Sequence, residues 1–514
     1  MEIPTEASDV HGVTTEKARR EGRPAHEVTQ ELAAVLQDLF DTNIPVIAFN
    51  ASYDFTVLAA ESARYANLLT GLGLKPGDRV CVQVEKSVQA VFLYLGCLRA
   101  GLVYLPLNTA YQESEIRYFV GDAEPAAAFC APTARGFDAV PHRLQLGASA
   151  GASTSFRTVD SQPDDLACIV YTSGTTGRAK GAMVTHGNLC SNALALHEFW
   201  KFRPGDVLLH CLPLFHVHGL FVALHTALLN ASRIILLPRF DAGQVLERLP
   251  RATVFMGVPT YYVRLLADAR LTSQTCASMR LFVSGSAPLL AETFTEFERR
   301  TGHAILERYG MTETGMNTSN PYEGERRAGT VGMPLPGVSV RIADAADRPL
   351  PPGEIGGIQV RGPNVMPGYW RLPQRRAEDF APDGFFRTGD LGRFDADGYL
   401  SIVGREKDLV ISGGYNVYPK EIEMLIDEMP GVAESAAFGV PHPDFGEALN
   451  VAIVSKPGAK LDGSEVIAYV KARLANFKVP KRVIFLPELP RNAMGKVMKN
   501  RLREDYGSKQ SATD

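Results

Sequence analysis

Helical and strand-like hydrophobic patterns alternate along most of this chain, and that alternation limits the folds it can adopt. Residues 90–101 (AVFLYLGCLRAG) carry apolar side chains at helical spacing and are followed at once by the short apolar run VYLPL at 103–107. A second short run, IILLP at 234–238, precedes another helical stretch. Strands that alternate with helices form parallel sheets covered by helices on both faces. The sequence therefore predicts an α/β fold.

The pattern changes toward the C-terminus, which predicts further structural units. After about residue 335, short strands and Gly/Pro turns such as VSVRI and GEIGGIQVRGP predict a mostly β subdomain over 335–404. Residues 405–514 again mix helices and strands, which predicts a small α+β C-terminal lid domain. The polar residues 1–28 are interpreted as a flexible extension, so the large N-terminal domain spans residues 29–404.

Composition excludes several functional classes. The 514-residue chain has 53 Lys and Arg against 57 Asp and Glu, so no net positive field attracts nucleic acid or an anionic membrane. Its seven cysteines form no C-x-x-C pair, which argues against a disulfide framework or a zinc knuckle and favours a cytoplasmic location. The longest apolar runs, at 91–107 and 216–229, are shorter than the ~20 residues of a membrane helix. These features favour a globular enzyme that holds its anionic ligands in a local site.

One segment has the composition of a phosphate-binding loop. YTSGTTGRAKG, at 171–181, follows the apolar strand ACIVY and combines three glycines and four hydroxyl side chains with Lys180. Open backbone N–H groups, hydroxyl donors and a cation suit a polyphosphate. The spacing does not match a Walker A motif, so a P-loop NTPase is not implied. The alternative on composition alone is a flexible Ser/Thr/Gly connector.

Five separated motifs resemble those of the adenylate-forming acyl-CoA synthetase superfamily, and they occur in the order found there. They are TSGTTGRAKG, ERYGMTET at 307–314, TGDLG at 388–392, GREKDLVISGGYNVYPKEIE at 404–423 and PRNAMGKVMK at 490–499. Within the superfamily, GVPTYYVRLL, RLFVSGSAPLL, PLFHVHGLF and GMTETGMNTSNP are most similar to malonyl-CoA synthetases. The resemblance covers about residues 30 to 505.

The resemblance implies a two-step reaction and three small-molecule ligands. A carboxylate attacks the α-phosphate of ATP with Mg²⁺ bound, giving an acyl-adenylate and pyrophosphate, and the thiol of coenzyme A then displaces AMP. Thr312 is expected at the α-phosphate, and Glu313 is expected to bind the magnesium ion, which prefers oxygen ligands. The residues expected to hold the ATP phosphates are Thr172, Ser173, Gly174, Thr175, Thr176, Gly177 and Lys180.

The same resemblance assigns a nucleoside site and a catalytic lysine. The residues expected around adenine and ribose are Ser286, Ala287, Pro288, Tyr309, Asp390 and Arg405. Asp390 lies between glycines, in what the pattern alone predicts to be a turn, and its two oxygens could accept hydrogen bonds from the ribose hydroxyls. Lys496 would neutralise negative charge during adenylation. Without the resemblance, Lys496 reads as an ordinary exposed lysine.

Relatives rotate the C-terminal domain between the two half-reactions, so the lid domain is expected to be mobile. The hinge is expected at Lys407, where the composition also changes, and an inert linker is the alternative. The face that serves thioester formation would carry Gly413, Gly414 and Tyr415. The paired glycines would let the backbone pass close to coenzyme A.

The acid pocket decides which substrate is activated. In malonyl-CoA synthetases, an arginine at the place of Arg264 and a serine at Ser286 hold the far carboxylate, and such a pair rejects monocarboxylates. His216, Val217 and Met316 are expected beside the acyl group. A metal pair formed by His216 and His218 on one face of a strand is the weaker alternative, because no third ligand is near in sequence.

The predicted function is ATP-dependent ligation of malonate, or methylmalonate, to coenzyme A. Val217 stands where the nearest malonyl-CoA synthetases have threonine, which leaves the choice between these two acids open. The alternatives are a ligase for another short or branched acid, a standalone adenylation protein that loads a carrier domain, and a non-catalytic nucleotide-binding relative.

Overall fold

The computed structural model describes residues 51–172, 179–412, 415–442, 446–491 and 496–507. The predicted extension at 1–28 therefore lies outside the described residues. So do Ser173, Gly174, Thr175, Thr176, Gly177, Gly413 and Gly414.

The first sheet and its helices come from the start of the described chain. Its strands are β1 (Arg79–Gln83), β2 (Val103–Pro106), β3 (Ala127–Cys130), β4 (His142–Leu144), β5 (Leu166–Thr172) and β6 (Lys180–Thr185). The helices are α1 (Ala51–Gly71), α2 (Val88–Arg99) and α3 (Glu113–Ala123). The spatial order is β4-β3-β1-β2-β5-β6, and every neighbouring pair is parallel except β5 and β6.

The second sheet has seven strands. They are β7 (Val207–His210), β8 (Arg233–Leu236), β9 (Val254–Gly257), β10 (Leu281–Ser284), β11 (Leu306–Met311), β12 (Gly315–Ser319) and β13 (Met333–Pro334). The helices are α4 (His186–Phe199), α5 (His225–Leu229), α6 (Ala242–Arg248), α7 (Pro259–Leu266) and α8 (Ala291–Thr301). In the order β13-β12-β11-β10-β9-β7-β8, the strands from β11 to β8 are parallel and the first two pairs are antiparallel.

A third, antiparallel sheet follows. It contains β14 (Ser339–Ala343), β15 (Gly356–Arg361), β16 (Phe386–Phe394) and β17 (Leu400–Arg405) in sequential order. A one-turn helix, α9 (Arg376–Asp379), precedes β16. The pairing of β16 with β17 sets Asp390 directly opposite Arg405.

The C-terminal part forms a fourth sheet with its own helices. The strands are β18 (Val410–Ser412), β19 (Tyr415–Val417), β20 (Val432–His442), β21 (Gly446–Ser455) and β22 (Arg482–Phe485). The helices are α10 (Pro419–Asp427), α11 (Gly463–Lys471) and α12 (Lys499–Gly507). Val410, Ile422 and Val451 belong to a buried core made only of residues from this part of the chain.

The predicted α/β class is confirmed, with two differences in detail. The helix expected at 90–101 is α2, and the strands expected at 103–107 and 234–238 are β2 and β8. Both large sheets end in antiparallel strands, because tight returns such as the β11–β12 turn leave no room for a crossover helix. TGDLG lies within strand β16 and is not a turn.

We had expected the segment with His216 and His218 to be a strand, and this prediction was wrong. A π-helix (His218–Leu224) begins there and continues into α5. Its tight start requires Gly219, since a Cβ at this position would lie 2.1 Å from the carbonyl oxygen of Pro213. In the part of the chain that the structure describes, no helix is long and apolar enough to cross a bilayer.

Candidate active site

The carboxyl ends of the parallel strands in the second sheet carry several of the expected ligand-binding residues. Strand β10 ends at Ser284 and leads into Ser286, which has a positive φ of 70°. Ala287 is half-buried and Pro288 is exposed after it. Strand β11 carries Tyr309 beside this segment. Ligands of open α/β sheets bind at this edge. A role of this segment in adenine binding stays a prediction.

Glu313 lies in the turn between β11 and β12 and is buried. Its Oε1 accepts hydrogen bonds from the Thr172 hydroxyl at 3.2 Å and the Tyr369 hydroxyl at 2.9 Å. These two donors orient the carboxylate and leave Oε2 available. A single oriented carboxylate that acts together with phosphate oxygens fits the coordination that Mg²⁺ prefers.

Lys180 stands at the end of the expected phosphate loop. It is buried, and its Nζ lies 5.0 Å from the centroid of the Tyr369 ring. Burial lowers its pKa, and the charge of Arg375 adds to this shift. Tyr369 thus contacts both the loop lysine and the expected metal ligand. Negative phosphate oxygens would stabilise the charged form of Lys180.

Asp390 joins the expected ribose-binding residues in one network. Its Oδ2 accepts a hydrogen bond from the Tyr309 hydroxyl at 2.6 Å, and its Oδ1 lies 3.0 Å from Arg405 Nε. The charge of Asp390 is the main cause of the raised pKa of Arg405. The sequence had suggested that both Asp390 oxygens are free, but each already has a partner. Each can still accept one more hydrogen bond.

Lys496 of the C-terminal part approaches this network. Burial is the main cause of its lowered pKa, which the charge of Arg405 lowers further. Asp390 and Glu313 act in the opposite direction on the same ammonium group. The lysine therefore lies among the nucleotide-site residues and across the boundary from its own sheet.

Three residues expected beside the acyl group are buried or partly buried. Val217 and Met316 are buried, and His216 is partly buried. Burial, followed by the charges of Lys496 and Arg308, lowers the pKa of His216 to about 3. Its imidazole is therefore neutral at physiological pH. Burial and the charge of Arg308 also lower the pKa of His218, so this imidazole is neutral as well. Its Nδ1 lies 3.3 Å from Ser286 Oγ.

Three other expected residues lie on separate elements: Arg264, Lys407 and Tyr415. The Arg264 side chain is exposed on α7, and its charge acts on the phenol of Tyr261. Lys407 follows β17, and partial burial of its ammonium together with the charge of Arg405 lowers its pKa. Tyr415 begins strand β19.

Sequence reasoning missed Arg308, a buried arginine on β11 that lies close to Gly285. It is 3% exposed, and its Nε and Nη2 have no hydrogen-bond partner among the described residues. Burial lowers its pKa to about 9. Gly285 provides the space, since a Cβ there would lie 2.4 Å from the guanidinium carbon. The signal was available in ERYGMTET, where Arg308 lies in a strand with buried neighbours on both sides.

Comparisons with known proteins identify the family. Residues 40–370 match the family model "AMP-binding enzyme", and residues 421–496 match "AMP-binding enzyme C-terminal domain". The ATP-bound MatB from Rhodopseudomonas palustris is 54% identical, with a TM-score of 0.86 over 88% of this chain and 93% of that one.

Two curated relatives have different named substrates. A malonate–CoA ligase from Arabidopsis thaliana is 36% identical over 84% of this chain and 79% of that protein. A feruloyl-CoA synthase from Amycolatopsis sp. is also 36% identical, over 88% and 94%. The matched domains and the shared fold establish that this chain belongs to the AMP-binding family of adenylate-forming enzymes and is an acyl-CoA ligase that acts on ATP, coenzyme A and a carboxylic acid.

Proposed function

We propose that the chain joins a small dicarboxylic acid, malonate or methylmalonate, to coenzyme A through an acyl-adenylate. The observation that carries this proposal is the buried guanidinium of Arg308. A buried cation needs a negative partner, and within the described residues two of its nitrogens have no hydrogen-bond partner. The second carboxylate of a diacid supplies this partner, whereas a monocarboxylate leaves the guanidinium unpaired.

The groups around Arg308 are also suited to binding a carboxylate. The Ser286 hydroxyl and the neutral His218 lie near it, and both can contribute hydrogen bonds to a carboxylate. The nearby His216 is also neutral, so it neither repels Arg308 nor replaces the missing anion. We therefore assign the far carboxylate to Arg308, with Ser286 and His218 beside it.

At the near end, the reacting carboxylate oxygen attacks the α-phosphorus, and pyrophosphate leaves. We assign Thr312 to the α-phosphate, Glu313 to the magnesium ion and Lys496 to the negative charge that develops at the reacting groups. Lys180 and the loop before it are assigned to the outer phosphates. Tyr309, Asp390 and Arg405 are assigned to the nucleoside.

In the second step, the thiol of coenzyme A attacks the acyl carbon, and AMP leaves. We assign this step to a second placement of the C-terminal domain, reached by rotation at Lys407. Gly413, Gly414 and Tyr415 would then line the path of coenzyme A. A cytoplasmic location is part of the proposal, and the seven unpaired cysteines, six of them buried, are compatible with it.

The similarity to MatB and to a malonate–CoA ligase supports a dicarboxylic substrate, while the similarity to a feruloyl-CoA synthase makes a direct test necessary. The test is pyrophosphate release with malonate, methylmalonate, succinate, acetate and butyrate. It is run with the wild type and with the variants Arg308→Met and Arg264→Met. We expect malonate or methylmalonate to give the highest kcat/KM in the wild type.

Arg308→Met should lower the malonate-to-acetate ratio of kcat/KM by at least about 10-fold, the scale of one lost charge-assisted hydrogen bond. Arg264→Met is the matched control because it removes the same group from an exposed site. If Arg264→Met lowers the ratio and Arg308→Met does not, the sequence-based assignment of Arg264 is correct and that of Arg308 is wrong. Preferential turnover of a monocarboxylate would overturn the proposed function.

A further inference from the structure

The turn that carries Thr312 and Glu313 is held by a side chain from another element. Asn192 lies on α4 and is 9% exposed. Its Nδ2 donates a hydrogen bond to the Met316 carbonyl at 2.9 Å, and the Met316 N–H donates one to its Oδ1 at 3.0 Å. The amide thus pairs with one residue through both a donor and an acceptor, as a neighbouring strand would.

We propose that Asn192 is a positioning residue for the adenylation step, which sets the placement of Thr312 and Glu313 through the backbone of Met316. The proposal relies on the acyl-CoA ligase activity of the family and does not depend on which acid is activated.

The local backbone explains why this turn needs an outside partner. The register between β11 and β12 shifts at Tyr309 and Gly310, so the ladder is irregular just before the turn. Gly315 closes the turn with a positive φ of 57°. A hairpin with these interruptions has few ladder bonds of its own to define the positions of its side chains.

Other contacts tie down the turn but leave Met316 N–H to Asn192. The Asn364 side chain donates to the Thr314 carbonyl at 2.6 Å, and the Met366 N–H donates to the Glu313 carbonyl at 2.9 Å. Asn364 also reaches the Met316 carbonyl, at 3.3 Å. Asn192 is therefore the group that holds both the N–H and the carbonyl at the base of the turn.

The contact is close and faces the expected site. A Cβ on Gly315 would lie 2.8 Å from Asn192 Oδ1, so the amide and the turn are in close contact. Asn192, Gly315, Thr312, Glu313 and Val217 all line one small cavity. A shift of the amide therefore moves two expected ligand-binding side chains relative to this cavity.

The variant Asn192→Asp tests the proposal because its effect depends on protonation. An ionised carboxylate can still accept from the Met316 N–H, but it repels the Met316 carbonyl. A protonated carboxyl group has one donor and one acceptor, as an amide does, and burial beside a carbonyl raises the pKa of this group. Lowering the pH should therefore restore the lost contact.

We expect acid-dependent pyrophosphate release by Asn192→Asp to be at least about 10-fold below the wild type at pH 8.5 and within about threefold of it at pH 5.5. Calorimetric binding of Mg-ATP should show the same pH-dependent ratio, a readout that does not require turnover. Gly315→Ala places a methyl group against the same Asn192 amide without adding a charge. The loss of activity in this variant should therefore not vary with pH.

Asn67→Asp is the matched control. The Asn67 amide donates to three backbone carbonyls at 2.8 to 3.0 Å, but it lies on α1, away from the site. Its ratio to the wild type should stay constant with pH in both assays, whatever the change in unfolding temperature. The proposal is overturned if Asn192→Asp keeps a constant ratio as well, or if its losses follow only its unfolding temperature.

Discussion

At the scale of single residues, Glu307 is a buried carboxyl next to Arg308 in the chain. Its Oε1 accepts a hydrogen bond from the Leu289 N–H at 2.9 Å, and its Oε2 has no partner among the residues described. Burial raises the pKa of this group from 4.5 to about 8, although Leu289, Lys420 and Arg308 act in the opposite direction. The folded protein therefore favours the neutral form of Glu307.

This raised pKa predicts a pH-dependent loss of stability. The unfolded chain ionises Glu307 above about pH 4.5 and the folded chain only near pH 8, so the contribution is present at low pH and is lost as the pH rises. Glu307→Gln cannot ionise and keeps the acceptor for Leu289. We expect it to exceed the wild type by about 4 kcal/mol in the free energy of unfolding at pH 8 and to match it closely near pH 4.5. Urea denaturation at both pH values measures this, and parallel curves would contradict the raised pKa.

Residue types and motif order selected residues that lie close together, but not the buried arginine. The structure brings Glu313, Tyr309, Asp390 and Lys496 near one another, and their ligand-binding roles stay predictions. Arg264 and Arg308 both lie in recognisable motifs, and side-chain identity alone does not distinguish them. Burial does distinguish them, because Arg308 is enclosed and Arg264 is exposed. Burial depends on how α7 and β11 pack, which is a tertiary property.

At the scale of elements, the π-helix beside the acid pocket has a sharply defined start. Gly219 has no room for a side chain because of the Pro213 carbonyl. Its own carbonyl accepts a hydrogen bond from His210 Nε2 at 2.9 Å, and Lys86 Nζ lies 2.8 Å from Nδ1 of that histidine. These contacts connect the second sheet to the segment that carries His216 and His218. π-helical turns are frequent at functional sites.

Gly219→Ala should therefore damage both folding and activity. The added Cβ meets backbone rather than a flexible side chain, so the π-helix must shift, at a cost of about 2 kcal/mol in the free energy of unfolding. Activity with the preferred acid should fall as well, since the shift moves His216 and His218. Gly121→Ala is the control, because Gly121 is exposed in α3 with open space around its Cα, and this change should stabilise by about 0.4–1 kcal/mol. Equal effects of the two variants would show that the π-helix start tolerates a side chain.

At the scale of the whole molecule, the C-terminal part contacts the large N-terminal part at several points. The Lys456 ammonium lies 2.8 Å from the Glu292 carboxylate on α8, and Met424 approaches Gly329. Lys496 reaches Asp390 and Glu313 electrostatically. This arrangement presents Lys496 to Asp390 and Glu313, which is the placement that the proposed adenylation step requires.

Lys496→Ala should separate the two half-reactions. Formation of the acyl-adenylate, measured as pyrophosphate release, should fall by at least about 100-fold, because the variant lacks a positive charge at the reacting groups. Conversion of supplied acyl-adenylate to the thioester should stay within about threefold of the wild type, because this step uses the other placement of the domain. Comparable losses in both half-reactions would refute the role assigned to Lys496.

The sequence by itself determined the α/β class and the family, and it nominated the groups of the proposed nucleotide site. It could do so because hydrophobic periodicity and short motifs are local properties of the chain. Only the tertiary structure decided that His218 begins a π-helix, that Asn192 pairs with Met316, and that Arg308 is enclosed with two nitrogens that have no hydrogen-bond partner among the described residues. Each of these depends on contacts between residues far apart in the chain, and packing and desolvation, which set their energies, exist only after the elements have met.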